Sequence, residues 1–412
     1  MRCHVPFCLL AAALLAAACG AREPAGLPDD GREAMVAHLA ADPDDLRRRP
    51  EPRAESGLPP VPRSGPEALE PPPPVELPLK IFLEPDYGRL SAPLPAQAPE
   101  RYRKWRQKAR IVVGRSHLDT AMASPDESLL LVMSEMESTI RIYVRKSRAL
   151  VGNYAVEGFE AGKFERGDVA FWPDLERGQA FLVGNVAGIT LYSATSGERL
   201  GVLSERPVWS MRWSPDRRFL LCVEADIATQ TSILTIFRRV QGPGLEEVRR
   251  VQLEERLDGW ALSGDNRFFA ATYYPSDTLE LVDLHTGERM WSVKAPTYSS
   301  SVDISPDGTR IAIGGDRAVV LDRVDPSKRA TYEKFGNNLH EVRFSPSGDA
   351  VAASSYDGHV RILSADPTAK ALKLLADLRH GGTANVYSIV FLDGGDGLLS
   401  SSGDETVRIW GK

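Results

Sequence analysis

The stretch that decides the fold runs from His380 to Trp410. It reads His380-Gly381-Gly382, then the apolar run Val386-Tyr387-Ser388-Ile389-Val390-Phe391-Leu392. A Gly/Asp turn at 393–397 follows, then Leu398-Leu399-Ser400-Ser401-Ser402, the polar Gly403-Asp404-Glu405, and Thr406-Val407-Arg408-Ile409-Trp410. Three short β-branched or aromatic runs separated by turn residues predict a meander of antiparallel strands.

The same unit recurs upstream. Its marker is a turn that begins Ser-Pro-Asp or a close variant. It occurs at Ser124-Pro125-Asp126, Trp172-Pro173-Asp174, Ser214-Pro215-Asp216, Ser263-Gly264-Asp265, Ser305-Pro306-Asp307, Ser345-Pro346-Ser347-Gly348 and Leu392-Asp393-Gly394. Proline presets φ for the first turn position, and Asp and Gly tolerate the rest, so the marker is mechanical. An alternating strand precedes each marker. A small-residue apolar strand follows it, then a third alternating strand such as Ile140-Arg141-Ile142-Tyr143-Val144. Self-similarity at a period of about 40 to 50 residues predicts a propeller or solenoid. Seven units of four strands predict an all-β chain, a seven-bladed β-propeller of four-stranded antiparallel blades. The last unit stops one strand short, and an orphan strand at 109–113 precedes the first unit. Pairing that strand into the last blade would close the ring and remove its exposed edges.

The unit at 380–410 resembles a repeat of the WD-repeat (β-transducin) family: a His, an apolar strand, a turn, a small-residue strand, an Asp in a tight turn, then Thr-Val-Arg-Ile-Trp. The resemblance implies ring closure of the same kind. It also implies a hydrogen-bonded chain inside the blade through His380, Ser400 (or Ser402 on the same face), Asp404 and Trp410, a structural role rather than a catalytic one. The sixth unit keeps Tyr356-Asp357-Gly358-His359-Val360-Arg361-Ile362 but has Leu363 where the Trp would stand. The other units lack the Gly-His start and the Trp-Asp end, and their Ser-Pro-Asp-Gly emphasis is similar to TolB-like propellers too.

Ahead of the repeats the composition changes twice. Arg2 precedes an apolar Val5–Ala18 run, which reads as a secretory signal over 1–18. Ala16-Ala17-Ala18-Cys19 resembles the lipobox of bacterial lipoproteins, and implies acylation at Cys19. Residues 19–100 include Pro71-Pro72-Pro73-Pro74 and few large apolar groups. Such a chain cannot bury enough surface to order itself, so this segment reads as a disordered, semi-rigid tether. The propeller domain is expected over 101–412. The basic Arg101-Tyr102-Arg103-Lys104-Trp105-Arg106-Gln107-Lys108 reads as a lead-in whose Trp105 packs on the domain edge, with contact to phosphates or anionic lipid as the alternative.

Little points to catalysis. The chain lacks a nucleophile elbow, a His-Glu-x-x-His helix and a phosphate loop. Its histidines do not fall at metal-ligand spacing, so neither a metal nor a cofactor is expected. A net charge of −6 gives no global pull toward nucleic acid. Cys222, in Phe219-Leu220-Leu221-Cys222-Val223, reads as a small core residue. The loops between second and third strands, and those leading into each blade, share one face of a propeller and suit binding. On that face the expected contacts are Glu135, Asp226, Tyr273, Tyr274, Asp316, Arg317 and Tyr356, with Trp260 and Tyr298 near the blade starts. The expected function is a non-catalytic, lipid-anchored, monomeric scaffold for a protein partner at the bacterial cell envelope. The alternative is a periplasmic enzyme propeller of hydrolase, lactonase or quinoprotein type, with its site in the central channel.

Overall fold

The computed structural model describes residues 100–412, apart from 115–117, 135–136, 158–166, 174–179, 227 and 383. The leader, Cys19 and the Pro-rich segment lie outside the described residues.

Seven four-stranded antiparallel sheets follow one another along the chain. Blades 1 to 6 span 120–155, 168–204, 210–253, 256–294, 301–332 and 339–379. Blade 7 takes three strands from 386–411 and its outermost strand, Arg106–Val112, from the other end of the repeats. That closing strand starts three residues earlier than the sequence suggests and pairs antiparallel with Thr406–Gly411. First strands of successive blades touch each other, so they line the ring's centre.

The core is not one cluster. Each apolar layer lies between two successive blades. Leu220 and Cys222 pack toward blade 2, while Leu221 and Val223 pack toward blade 4. Middle strands are therefore buried on both faces. This is why they read as continuous apolar runs rather than as clean alternation.

The Ser-Pro-Asp turns are built alike. At Ser305-Pro306-Asp307, the serine hydroxyl donates to the Asp307 carboxylate (2.5 Å) and accepts from the Arg310 N–H (2.9 Å). The carboxylate in turn accepts from the Thr309 N–H at 3.1 Å. Ser124, Ser214 and Ser263 repeat this pattern with Asp126, Asp216 and Asp265. The fourth turn residue is left-handed, which suits Gly308 at φ 67° and is carried by Asn266 at 60°.

Blade 6 departs from this in a way that the fold uses. Its turn reads Ser345-Pro346-Ser347-Gly348-Asp349, so the carboxylate sits two places later. Asp349 still accepts from Ser345 (2.8 Å), and it also accepts from the Tyr102 hydroxyl at 3.0 Å and Arg101 at 3.3 Å. Tyr102 lies in a short 3-10 helix, Glu100–Lys104, and is fully buried. Trp105 packs edge-on against Tyr102 and Phe391. The lead-in thus reaches blade 7 across the face that carries the Ser-Pro-Asp turns.

The outermost strands each end the sheet, and an exposed edge invites pairing with other chains. In six of the seven blades that strand carries at least one register shift, with Val151, Leu200 and Leu203, Val248, Met290, Leu375 and Lys108 as the extra residues. A bulge twists the edge away from a flat partner.

Asp349→Ala should leave the Tyr102 hydroxyl and Arg101 without their carboxylate. Unfolding in denaturant should show a loss of about 1–3 kcal/mol. An unchanged midpoint would mean that the lead-in does not fasten the ring.

Candidate functional site

Three arrangements carry chemistry. The first lies inside blade 7. Trp410 Nε1 donates to Ser400 Oγ at 2.8 Å. Ser400 Oγ and His380 Nε2 are 2.6 Å apart, and His380 Nδ1 is 3.4 Å from Asp404 Oδ1. The donor inventory fixes the direction. Trp410 can only donate, so the Ser400 hydroxyl accepts from it and donates its O–H to Nε2, and the imidazole keeps its N–H toward Asp404. Burial, the largest influence, pulls His380 below its ordinary value, so the ring is neutral at pH 7. Asp404 is held well below the carboxylate range: burial opposes this, but His380, Thr406 and Arg408 outweigh it. With His380 neutral, the charge that faces Asp404 is Arg408, at 2.7 Å. His380 and Ser400 are sealed within the blade, and a reactant has no path to them.

A carboxylate paired with the Arg four places on recurs as Asp357–Arg361 in blade 6 and Glu137–Arg141 in blade 1. Blade 6 does not repeat the rest. Ala353 and Leu363 replace the serine and tryptophan and pack in an apolar layer. Removing the network whole is consistent with physics, because a half-satisfied buried network costs more than an apolar one.

The second arrangement lines the channel. The inner edge of each first strand has no neighbouring strand, so its backbone groups need other partners. The preceding blade supplies them. Asp168 accepts from the Met211 N–H (2.9 Å), Asp303 from Phe344 (2.7 Å) and Glu341 from Ile389 (2.7 Å). Ser301 accepts from Val342 (3.1 Å) and Ser388 from Ala121 (2.8 Å), while Arg212 donates to the Trp260 carbonyl at 2.7 Å. Glu341 also pairs with Arg343. Burial raises Asp168 and Asp303 above the usual carboxylate range. Burial, and then the Arg343 charge, bring Arg212 down to about 10. Asp168, Asp303 and Glu341 are each already engaged by a backbone N–H across a blade junction.

The third lies at the channel mouth, on the face opposite the Ser-Pro-Asp turns. His340, Tyr356 and Tyr387 meet edge to face, with centroids 5.4, 5.6 and 6.2 Å apart. His340 and Tyr387 are the extra residues of register shifts at the starts of blades 6 and 7. All three are half-buried. A bulge re-aims a side chain that regular pleating would turn elsewhere.

The expected contact residues scatter. Glu135 lies outside the described residues. Tyr298 is 55% exposed. Its loop meets Asp316, whose N–H bonds the Thr297 carbonyl at 2.8 Å. Asp316 pairs with Arg317. Ser300 of the same loop reaches the His340 carbonyl at 3.3 Å, tying it to the aromatic group. Asp226 is exposed and caps its own turn through the Ala228 N–H. Tyr274 is exposed under the Arg256 guanidinium, 4.3 Å from the ring centre. Tyr273 is half-buried against the layer between blades 3 and 4, and burial and the nearby Glu280 raise its hydroxyl.

Trp260 must be corrected: it is 2% exposed and packs in that same layer. A register shift at Asp258 reverses the facing, so Leu257 and Trp260 share the inward side. Sequence reasoning missed His340 and Tyr387 for the same reason. The available signal was apolar spacing of three rather than two, as in Leu257/Trp260, Leu339/Val342 and Val386/Ile389.

Elsewhere, a shallow cavity of about 600 Å³ lies far from the channel, among Thr331, Tyr332, Lys334, Lys370, Leu372 and Leu374. Among the described residues no His, Cys, Asp and Glu group could hold a metal. Burial first, and then Asp168, push the Cys222 thiol well up, which leaves it unreactive.

The lowered His380 makes a signed prediction. The unfolded chain takes up the proton first, near the ordinary value of 6.5, so stability falls as pH drops below it. Melting curves between neutral and mildly acid pH should show a smaller loss for His380→Gln than for the parent. Equal slopes would place the acid sensitivity elsewhere.

The WD domain, G-beta repeat family matches residues 330–364 and 372–411. Each match takes the outermost strand of one blade and three strands of the next, the same offset that leaves the ring to be closed from Arg106–Val112. WD repeat-containing protein 1 of Bos taurus is 35% identical over 114 residues, which are 27% of this chain and 18% of that protein. Its counterpart in Rattus norvegicus is 38% identical over the same length and shares. A 77 kDa echinoderm microtubule-associated protein of Lytechinus variegatus is 27% identical over 159 residues, 38% of this chain and 24% of that one. The chain thus spans about a fifth of the relatives' length. WD-repeat propellers generally serve as scaffolds for protein interaction. With seven four-stranded blades in a closed ring and WD repeats matched over its last two blades, this chain is a seven-bladed β-propeller that carries WD repeats.

Proposed function

We propose that the chain is a non-catalytic interaction scaffold at the bacterial cell envelope, held by acyl chains on Cys19, and that a protein partner docks over the channel mouth at blades 6 and 7. The observation that carries this is the His340–Tyr356–Tyr387 group. Aromatic side chains with a polar end, set on a rigid frame and half in water, are what interface centres are made of. Tyr298 extends the same surface toward blade 5 through the Ser300 bond to His340. The leader and the small residues before Cys19 support the location.

The enzyme alternative has one observation in its favour, the charged channel with its raised Asp168 and Asp303. It is weakened because those carboxylates already hold blade junctions together.

Tyr387→Ala and His340→Ala should each fold and retain their melting point within a few degrees. Partner binding to immobilised full-length chain should weaken by about 2 kcal/mol, roughly thirtyfold, for Tyr387→Ala. Undiminished capture of the same envelope proteins by both variants would move the interface off this face.

The location has its own test, the intact mass of protein from its native membrane fraction beside Cys19→Ala. Loss of residues 1–18 with added acyl mass, abolished in the variant, is the expected result. A chain still starting at Met1 would end the envelope proposal.

A further inference from the structure

The basic lead-in has a second half to its structure. Its aromatic groups turn inward, with Tyr102 and Trp105 in the layer between blades 6 and 7. Its cations therefore stay outside. Arg101 is committed to Asp349 and Asp396, and Arg103 to Glu100. Lys104, Arg106, Lys108 and Arg110 are exposed, and among the described residues no carboxylate pairs with them. Three of the four lie along the closing strand Arg106–Val112, which has the free edge of blade 7.

The other outermost strands are unlike this one. Blade 3 mixes Glu246 and Glu247 with Arg249 and Arg250, and blade 4 mixes Glu288 with Arg289 and Lys294. Blade 6 pairs Asp377 with Arg379. Blade 1 carries no charge on Leu150–Ala155, and blades 2 and 5 carry one arginine each. Only the closing strand has three cations and no acid. Its extra residue is Lys108, where the shifts in blades 1 to 4 place apolar residues such as Val151 and Met290. A lysine at a free edge discourages strand pairing, but that purpose needs one charge, not a row beginning before the strand.

Position adds a second argument. Arg106 pairs with Gly411 and Val112 with Thr406, so the strand starts at the face of the Ser-Pro-Asp turns. The described chain enters the propeller there, through Glu100–Lys104. The aromatic channel mouth lies on the opposite face.

We propose that Lys104, Arg106, Lys108 and Arg110 form a contact surface for an anionic lipid bilayer, which holds the outer edge of blade 7, at its turn-face end, toward the membrane. This rests on the envelope location proposed above, and it deepens that reading by adding an orientation. Clustered cations attract acidic headgroups, and so would add to the attachment of a chain that is anchored elsewhere.

The test uses the full-length chain carrying Cys19→Ala, so that no acyl chain contributes. It is sedimented with vesicles of phosphatidylcholine alone, or of phosphatidylcholine mixed with phosphatidylglycerol. The chain should bind the mixed vesicles only. Binding should vanish as salt rises from about 0.1 M to about 1 M, where screening shrinks to about 3 Å. Lys104→Gln/Arg106→Gln/Lys108→Gln/Arg110→Gln should lower the affinity by more than about tenfold. Lys108→Glu alone, a milder change to the strand, should lower it measurably at an unchanged melting point. Equal binding to both vesicle types, unaltered binding by the variants, or tighter binding of single-stranded oligonucleotide than of vesicles would each overturn the proposal. Acylation is read separately by mass, so a failed edge and a failed anchor are distinguishable.

Discussion

The free inner edge of each blade's first strand is the constraint on which the rest of this propeller depends. Within a sheet such an edge is satisfied by a further strand, and here no strand lies beside it. The chain answers with side chains. Asp168, Asp303 and Glu341 each accept a backbone N–H of the next blade, and Ser301 and Ser388 do so with hydroxyls. The bonds that relieve one blade therefore fasten it to its neighbour. Burying such carboxylates is unfavourable unless they are hydrogen-bonded and balanced by charge. Arg212 and Arg343 provide that balance within the same channel. A channel that looks rich in acid–base chemistry is thus largely a clamp.

Ring closure draws on the same logic at the outside. The last repeat supplies three strands to its blade, and Arg106–Val112, ahead of the first repeat, supplies the fourth. Asp349 stands two residues later in the blade 6 turn than the Asp of the other turns, and there it accepts from Tyr102 and Arg101 while keeping the bond from Ser345. The turn still folds, and it also locates the incoming strand. The aromatic residues of the lead-in are spent on this fastening, which leaves its cations facing water along the strand's free edge.

How much could be read in advance follows from range. Blade number, strand order and closure are legible because each blade is a local unit with its turn chemistry written nearby. Ser305 and Asp307 stand two residues apart and act on the same turn. The His380–Ser400–Asp404–Trp410 chain is legible through its family pattern, since it lies inside a single blade. The junction bonds are not, because Asp168 and Met211 are 43 residues apart. Trp260 and Tyr387 were misjudged together. Trp260 was expected as a contact near a blade start and is buried, whereas Tyr387 was not singled out from its strand and is half-buried at the channel mouth. One extra residue in a strand reverses the facing of everything after it.

By itself, then, the sequence determined the architecture, because hydrophobic period, turn residues and repeat length act over short distances and were repeated seven times. It also determined that the lead-in would be basic, with Trp105 packed on the domain edge. Only the tertiary structure decided which polar groups hold the blades together, which aromatics reach the channel mouth and on which face the chain arrives. Those outcomes depend on register shifts and on backbone groups brought together across blades, and neither is fixed by the identity of neighbouring residues.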